Sequence, residues 1–263
     1  MISRSSYYKY INKKLSNEDF EITKLIKQIY WTNKGKFGYR RITMELHRSF
    51  NMLVNHKKVL RLMKENGLKS NIRKRKQKAR VQRNNEKWTI AENLLKSNFK
   101  TNSPNKLFST DVSFLILENG KKFYFSAIKD LASGEIVAYN ISCKHDIELI
   151  LNTLTQLKID NSNDCILHSD RGCFYSSFQY IQKLKELGIK RSMSEPASPT
   201  QNAPIESFFG HFKDEVDYKI CKDFKELKDK IDKYVYYYNT KRYQWNKSML
   251  TPIEFRNLLL SYF

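Results

Sequence analysis

The hydrophobic period of this chain changes once, near Lys106, and that change limits what the chain can fold into. Upstream, apolar residues recur at helical spacing. In "EDFEITKLIKQIYW" Ile22, Leu25, Ile26 and Ile29 share one face. The next segment predicts a helix over Tyr39–Ser49, a turn at "FNMLVN" and a second helix from Asn55 to Asn66. Asn55 is its N-cap, and Gly67 lies just past its end. Downstream, "KLFSTDVSFLIL" alternates and places Phe108, Val112, Phe114 and Ile116 on one face, as in a half-buried strand. Asn119-Gly120 is a hairpin turn into "KKFYFSAIKD", and "EIVAYNIS" is a third strand. Then come a helix in "DIELILNTLTQLK", a short buried strand in "CILHSD", a helix in "SSFQYIQKLKELGI", a strand in "KRSMS" and a helix in "APIESFFGHF". An antiparallel meander followed by parallel crossovers makes an α/β chain: a mixed sheet with helices on its faces. "AENLLKSNF" predicts a further short helix. Near the C-terminus Ile231, Tyr234, Val235 and Tyr238 line one helical face, and Thr251 to Glu254 reads as a capping box.

Charge divides the chain at the same place. The formal net charge is +21; residues 1–106 contain 27 Lys+Arg against 7 Asp+Glu, while residues 107–263 contain 21 against 20. A lysine-rich codon bias would act along the whole chain, so the asymmetry points to a polyanionic partner for the first part. Two short basic helices around a tight turn resemble helix-turn-helix architecture. Arg40, Arg41, Lys57, Lys58 and Arg61 are its candidate DNA contacts. The basic run "SNIRKRKQKARVQR" adds Arg73, Lys74, Arg75 and Lys76 as a phosphate-tracking linker. His47 and His56 read as packing residues, since no ligand cluster accompanies them. The sequence has no apolar run of membrane-span length and no signal peptide. Cys143, Cys165, Cys173 and Cys221 form no C-x-x-C pair, which argues against a disulfide framework and fits a reducing cytoplasmic compartment.

Three carboxylates stand out. Asp111 lies mid-strand with parity opposite to the Phe/Val face, where an unpaired buried charge would cost several kcal/mol. Asp170 ends an apolar strand in "ILHSDRG", where α/β sheets build sites, although an Asx turn would explain it as well. Glu206 falls in the first turn of a helix whose stripe is Ile205, Phe208, Phe209, Phe212 and Val216. Asn202 reads as that helix's cap and Pro204 as a first-turn residue. His168 reads as packed; Arg171 suits either a phosphate or an acid. Lys213 shares the flank of Glu206 as a candidate DNA contact, and Lys241 and Arg242 could add more. With 35 residues between Asp170 and Glu206, the set resembles the DDE triad of retroviral integrases and bacterial insertion-sequence transposases.

The resemblance runs through "FGYRRITMEL", "NHKKVLRLMKENGL", "PNKLFSTDVSF", "HSDRGCFYSS", "NAPIESFFGHFKDE" and "YVYYYNTKRYQ…LTPIEFR", in the order of OrfB-type insertion-sequence transposases. It implies a ribonuclease-H-like, mixed five-stranded sheet preceded by an all-helical, helix-turn-helix-like domain. The expected organisation is a DNA-binding region over 1–69, a basic linker over 70–103, a catalytic core over 104–220 and a helical extension over 221–263. It also implies two Mg²⁺ ions, replaceable by Mn²⁺, held by Asp111, Asp170 and Glu206, with Asp111 bridging. The implied reaction is cleavage at element ends followed by attack of the freed 3′-OH on a second phosphodiester. The implied partners are terminal inverted repeats, target DNA, further copies of the chain and an upstream-frame (OrfA-type) product. The sequence departs from the family pattern at Phe108, where Trp is usual, and in "PASPTQ" before Asn202, where a Gly-containing loop and an Asp are usual. A metal-dependent nuclease without strand transfer and a catalytically silent DNA-binding repressor are the alternatives. The basic N-terminal part argues against the first, and the three acids against the second.

Overall fold

The computed structural model describes residues 17–72, 90–96, 98–158, 165–196 and 198–262. The chain divides into two compact units, Met1–Arg73 and Lys74–Phe263. The first contains α1 (Asn17–Thr32), α2 (Tyr39–Phe50) and α3 (His56–Glu65). Ile22, Ile26 and Ile29 of α1 meet Ile42 and Leu46 of α2 and Val59 and Leu62 of α3 in one apolar core. Asn55 caps α3 by accepting the Lys57 N–H at 2.8 Å. Past its end Gly67 takes φ +66°, and the Leu68 N–H reaches back to the Met63 carbonyl. That left-handed turn is the conformation for which glycine is suited.

The second unit contains β1 (Leu107–Ile116), β2 (Lys122–Asp130), β3 (Ile136–Ser142), α4 (Ile147–Leu154), β4 (Cys165–Ser169), α5 (Phe178–Glu186), β5 (Ile189–Met193), α6 (Ala203–Glu215), α7 (Phe224–Thr240) and α8 (Pro252–Leu260). The five strands lie in the order β3-β2-β1-β4-β5. β1, β2 and β3 are antiparallel neighbours; β1, β4 and β5 are parallel. On one face Phe108, Ile128, Leu167 and Ala138 pack with Ile150 of α4 and Tyr180 of α5. On the other, Leu115, Phe125 and Ala127 pack with Phe208 and Phe212 of α6 and Tyr238 of α7. The capping box at Thr251 and Glu254 starts α8.

β1 departs from the simple alternation its sequence suggests. Phe108 is buried, but Phe114 is 61% and Ile116 42% exposed, while Leu115 is fully buried. Both sheet faces are covered near the start of β1; further along, α6 and α7 cover only the opposite parity. Period-2 patterning identifies two faces, and the flanking helices decide which one is inside. The segment around Asn93 is not a helix. The Asn93 side chain accepts the N–H groups of Leu95 and Lys96, and this local turn competes with helical hydrogen bonding. The segment lies along β5 instead, where the Leu94 N–H bonds the Ser192 hydroxyl and the Glu92 carbonyl accepts from the Met193 N–H.

Candidate active site

Asp111 and Asp170 come together through strand register. β1 and β4 pair in parallel at Leu107–Ile166, Phe108–Leu167 and Ser109–His168. Continuing the same offset sets Asp111 beside Asp170, one residue past the end of β4. Adjacent strands lie about 4.8 Å apart, so this offset sets the two backbone positions on neighbouring strands. The electrostatics agree: Tyr175 is raised well above the usual phenol range by its burial first, and then by the charges of both aspartates. Each carboxylate accepts from a backbone donor, Asp111 Oδ1 from the Val112 N–H at 2.8 Å and Asp170 Oδ1 from the Gly172 N–H at 2.8 Å. Gly172 serves this close approach, because a Cβ there would stand 2.9 Å from Asp170 Oδ1.

Glu206 is half-buried in the first turn of α6, whose packing face is Ile205, Phe208, Phe209 and Phe212. The helix starts at Ala203 with Pro204 in its first turn. Asn202 does not cap it. Its side-chain Nδ2 donates to the Thr110 carbonyl at 3.0 Å, one residue before Asp111, so it is drawn into the sheet rather than toward the helix. Asp111 has the strand parity of Leu115, and therefore faces the side of the sheet on which α6 packs. Among the described residues no group of three Asp, Glu, His or Cys side chains is drawn together closely enough to hold a metal ion. The fold thus aligns β1 with β4 and ties the start of the Glu206 helix to the Thr110 carbonyl. An all-oxygen donor set of this kind suits a hard divalent cation.

The other candidate contacts have these positions. Arg40 is exposed and donates from Nε to the Tyr39 hydroxyl at 3.1 Å. The Arg41 guanidinium lies 3.6 Å from the Phe37 ring centroid, and Lys57 is exposed. Lys58 and Arg61 are engaged within the unit: both bind Asp19, at 2.9 and 2.7 Å, and hold its carboxyl down at about 2. Arg73, Lys74, Arg75 and Lys76 lie outside the described residues. Arg171 donates from Nε to the Ser194 carbonyl at 2.7 Å, and Lys213 Nζ sits 5.6 Å from the Phe114 ring centroid. His168 is packed: its ring nitrogens bond the hydroxyls of Ser192 and Ser194, and burial lowers its pKa. Arg242 is not available to DNA; it is 7% exposed and binds Glu215 through Nε and Nη2. Gln201 joins two segments, its Oε1 accepting from Glu195 N–H and from Asn93 Nδ2. All four cysteines are free thiols. No helix among the described residues is long and apolar enough to cross a membrane.

Two residues of the site were hidden in the sequence. Gly172 reads only as a turn glycine until Asp170 is placed against it. Lys129, 9% exposed on β2, reads as part of an apolar strand, yet its ammonium reaches the Pro204 carbonyl at 3.1 Å. A cation inside "FSAIKD" was the available signal.

Comparison with known proteins accords with this layout. A family model for an HTH-like domain matches residues 17–76. Models for an integrase core domain match residues 101–199 and 206–260. InsK of Escherichia coli K12, assigned as transposase of insertion sequence element IS150, is 38% identical over 97% of this chain and 90% of its own length. A transposase-like protein of Haemophilus influenzae Rd is 36% identical over 79% of this chain and 95% of its own. Among solved structures, the HTLV-2 integrase catalytic core domain in complex with magnesium aligns at 18% identity, 58% of this chain, 97% of that chain and a TM-score of 0.47.

Proposed function

The chain belongs to the family of insertion-sequence transposases with an integrase core, and from that premise we propose that it cuts DNA at the ends of its element and joins the freed 3′-OH to a second phosphodiester. The observation that supports this reading is the β1–β4 register, whose offset carried two residues further pairs Asp111 with Asp170, together with the bond from Asn202 at the start of the Glu206 helix to Thr110. Asp111, Asp170 and Glu206 are the residues that would hold divalent metal, Mg²⁺ or Mn²⁺. When bound, such ions activate a nucleophilic oxygen and neutralise charge on the attacking and leaving oxygens.

The chain's own groups prepare that chemistry. The Val112 and Gly172 N–H donors fix the direction of one oxygen of each aspartate. The two sheet-covering helices bury the scaffold beneath the carboxylates, so the acids are held on rigid elements. The N-terminal helices, with Arg40, Arg41 and Lys57 on their surface, and the basic run beyond residue 72 are assigned to DNA. Further copies of the chain and an OrfA-type product belong to the same reading as partners in bringing two DNA ends together.

The test uses purified protein, labelled element-end DNA, an unlabelled target and Mg²⁺. The expected products are a nicked end and a joined strand. Nicking without any joined product would overturn strand transfer and leave the nuclease reading; binding with no metal-dependent cutting would leave the repressor.

A further inference from the structure

Lys129 occupies a position that ordinary fold rules disfavour. The residue is 9% exposed, and an ammonium group is expensive to remove from water. It approaches the first turn of α6, the positive end of the helix dipole, where a cation is disfavoured. A second lysine, Lys247, is close enough that its pKa is lowered, mainly by burial and then by the charge of Lys129. Two contacts receive the Lys129 ammonium: the Pro204 carbonyl accepts its hydrogen bond at 3.1 Å, and the Tyr238 ring centroid lies 5.8 Å away. Where local rules are broken at a site, the violation commonly has a functional return.

Here the return is positional. Lys129 is the cross-strand partner of Ser109, two residues from Asp111. Asn202 makes the second link, to the carbonyl of Thr110, and is itself 3% exposed. Both links run from the start of α6 to the stretch of sheet that holds Asp111, and Glu206 follows Pro204 by two residues. The apolar contacts of Ile205, Phe208, Phe209 and Phe212 attach the helix firmly but without direction, so they tolerate small slides and rotations. Hydrogen bonds are directional and remove that freedom.

We infer that Lys129 is a positioning residue for Glu206: with Asn202 it straps the first turn of α6 to β1 and β2 and so fixes the third carboxylate relative to Asp111. The inference rests on the carboxylate reading of the proposed function, and the following measurements separate the two.

The variant is Lys129→Met, which keeps the aliphatic stem and removes the donor. Two quantities are read on the full chain without DNA: Mn²⁺ affinity by electron paramagnetic resonance, and amide hydrogen exchange over the first turn of α6. Loss of the strap should weaken Mn²⁺ binding by about 10–100-fold, the usual effect of removing a partner that orients a ligand. It should also accelerate exchange at the Glu206 to Phe209 amides while the melting temperature of the unit is kept. Lys129→Arg, which retains a donor, should recover part of both losses. Wild-type Mn²⁺ affinity and wild-type exchange in Lys129→Met would overturn the role of Lys129 and leave the carboxylate assignment intact. A wild-type chain that neither binds Mn²⁺ nor cuts DNA would overturn both. If Lys129→Met does not fold, Asn202→Leu, which removes the second strap, makes the same measurement with the same expected losses.

Discussion

The two units treat their key carboxylates in opposite ways. In the N-terminal unit Asp19 of α1 lies against Lys58 and Arg61 of α3, and these partners draw its carboxyl down to about 2. In the sheet unit Asp111 and Asp170 accept backbone N–H groups from residues just beyond them in the chain. A carboxylate enclosed by guanidinium and ammonium groups is a structural tie: its lone pairs point at fixed cations, and its charge is already balanced. A carboxylate directed by a backbone amide has an oriented oxygen, as a metal ligand requires. The sheet unit uses both styles. Glu215 at the end of α6 is tied to Arg242 just past α7, and Glu135 in the β2–β3 connection to Arg256 of α8.

The largest test of that contrast is Glu206→Gln. It should cut DNA cleavage by about a thousandfold or more, since metal-borne charge stabilisation is worth several kcal/mol and each 1.4 kcal/mol is tenfold. DNA affinity, measured by gel shift, should hardly change; wild-type nicking by this variant would remove Glu206 from the active set. Next in size is Gly172→Ala, which places a methyl carbon 2.9 Å from Asp170 Oδ1 and must move that carboxylate. Cleavage should fall by about 10–100-fold through lost ligand orientation, with the melting temperature little altered. An active Gly172→Ala enzyme would mean that Asp170 is not held by this contact.

On the structural side, Arg61→Met removes one of the two cations that hold Asp19. It should destabilise the N-terminal unit by about 1.5–3 kcal/mol, the worth of a hydrogen bond to a charged group, as read from its denaturant midpoint. Turnover on DNA already bound should be unaffected, whereas a matching loss of catalytic rate would erase the distinction between the units. The smallest effect is the pH response of Asp19. Its folded pKa lies below the unfolded value of about 4, so its stabilising contribution is complete above that value. It is lost as pH falls through the folded value of about 2. Acid titration of the N-terminal unit should show this loss, and Asp19→Asn should abolish that part of the curve.

Much of this was legible in the sequence. The helical stripe of α1, the Asn55 cap, the Asn119-Gly120 turn and the Thr251 capping box all depend on nearest neighbours along the chain. Local chemistry decides such features, and local chemistry is written in order. The failures share a different character. Phe114 and Ile116 alternate as a buried face should, yet the exposed side of β1 is set by where α6 and α7 lie. "AENLLKSNF" has helical composition, but Asn93 bonds its own backbone and the segment follows β5. Arg242 looks like a surface cation until Glu215 arrives from a different helix.

By itself, then, the sequence determined the order of elements, the division between a basic helical unit and an α/β unit, and the identity of three acids at family spacing. These follow from periodicity, charge and motif, each of which acts within a few residues or is counted along the chain. Only the tertiary structure decided which strands pair in which register and which cations are already engaged. It alone showed that Asn202 reaches the sheet instead of its helix, and that a buried lysine ties Pro204 to β2. Those contacts join residues far apart in sequence. Register and packing create them, because a strand's neighbour and a helix's resting place are fixed by the whole core and not by any single segment.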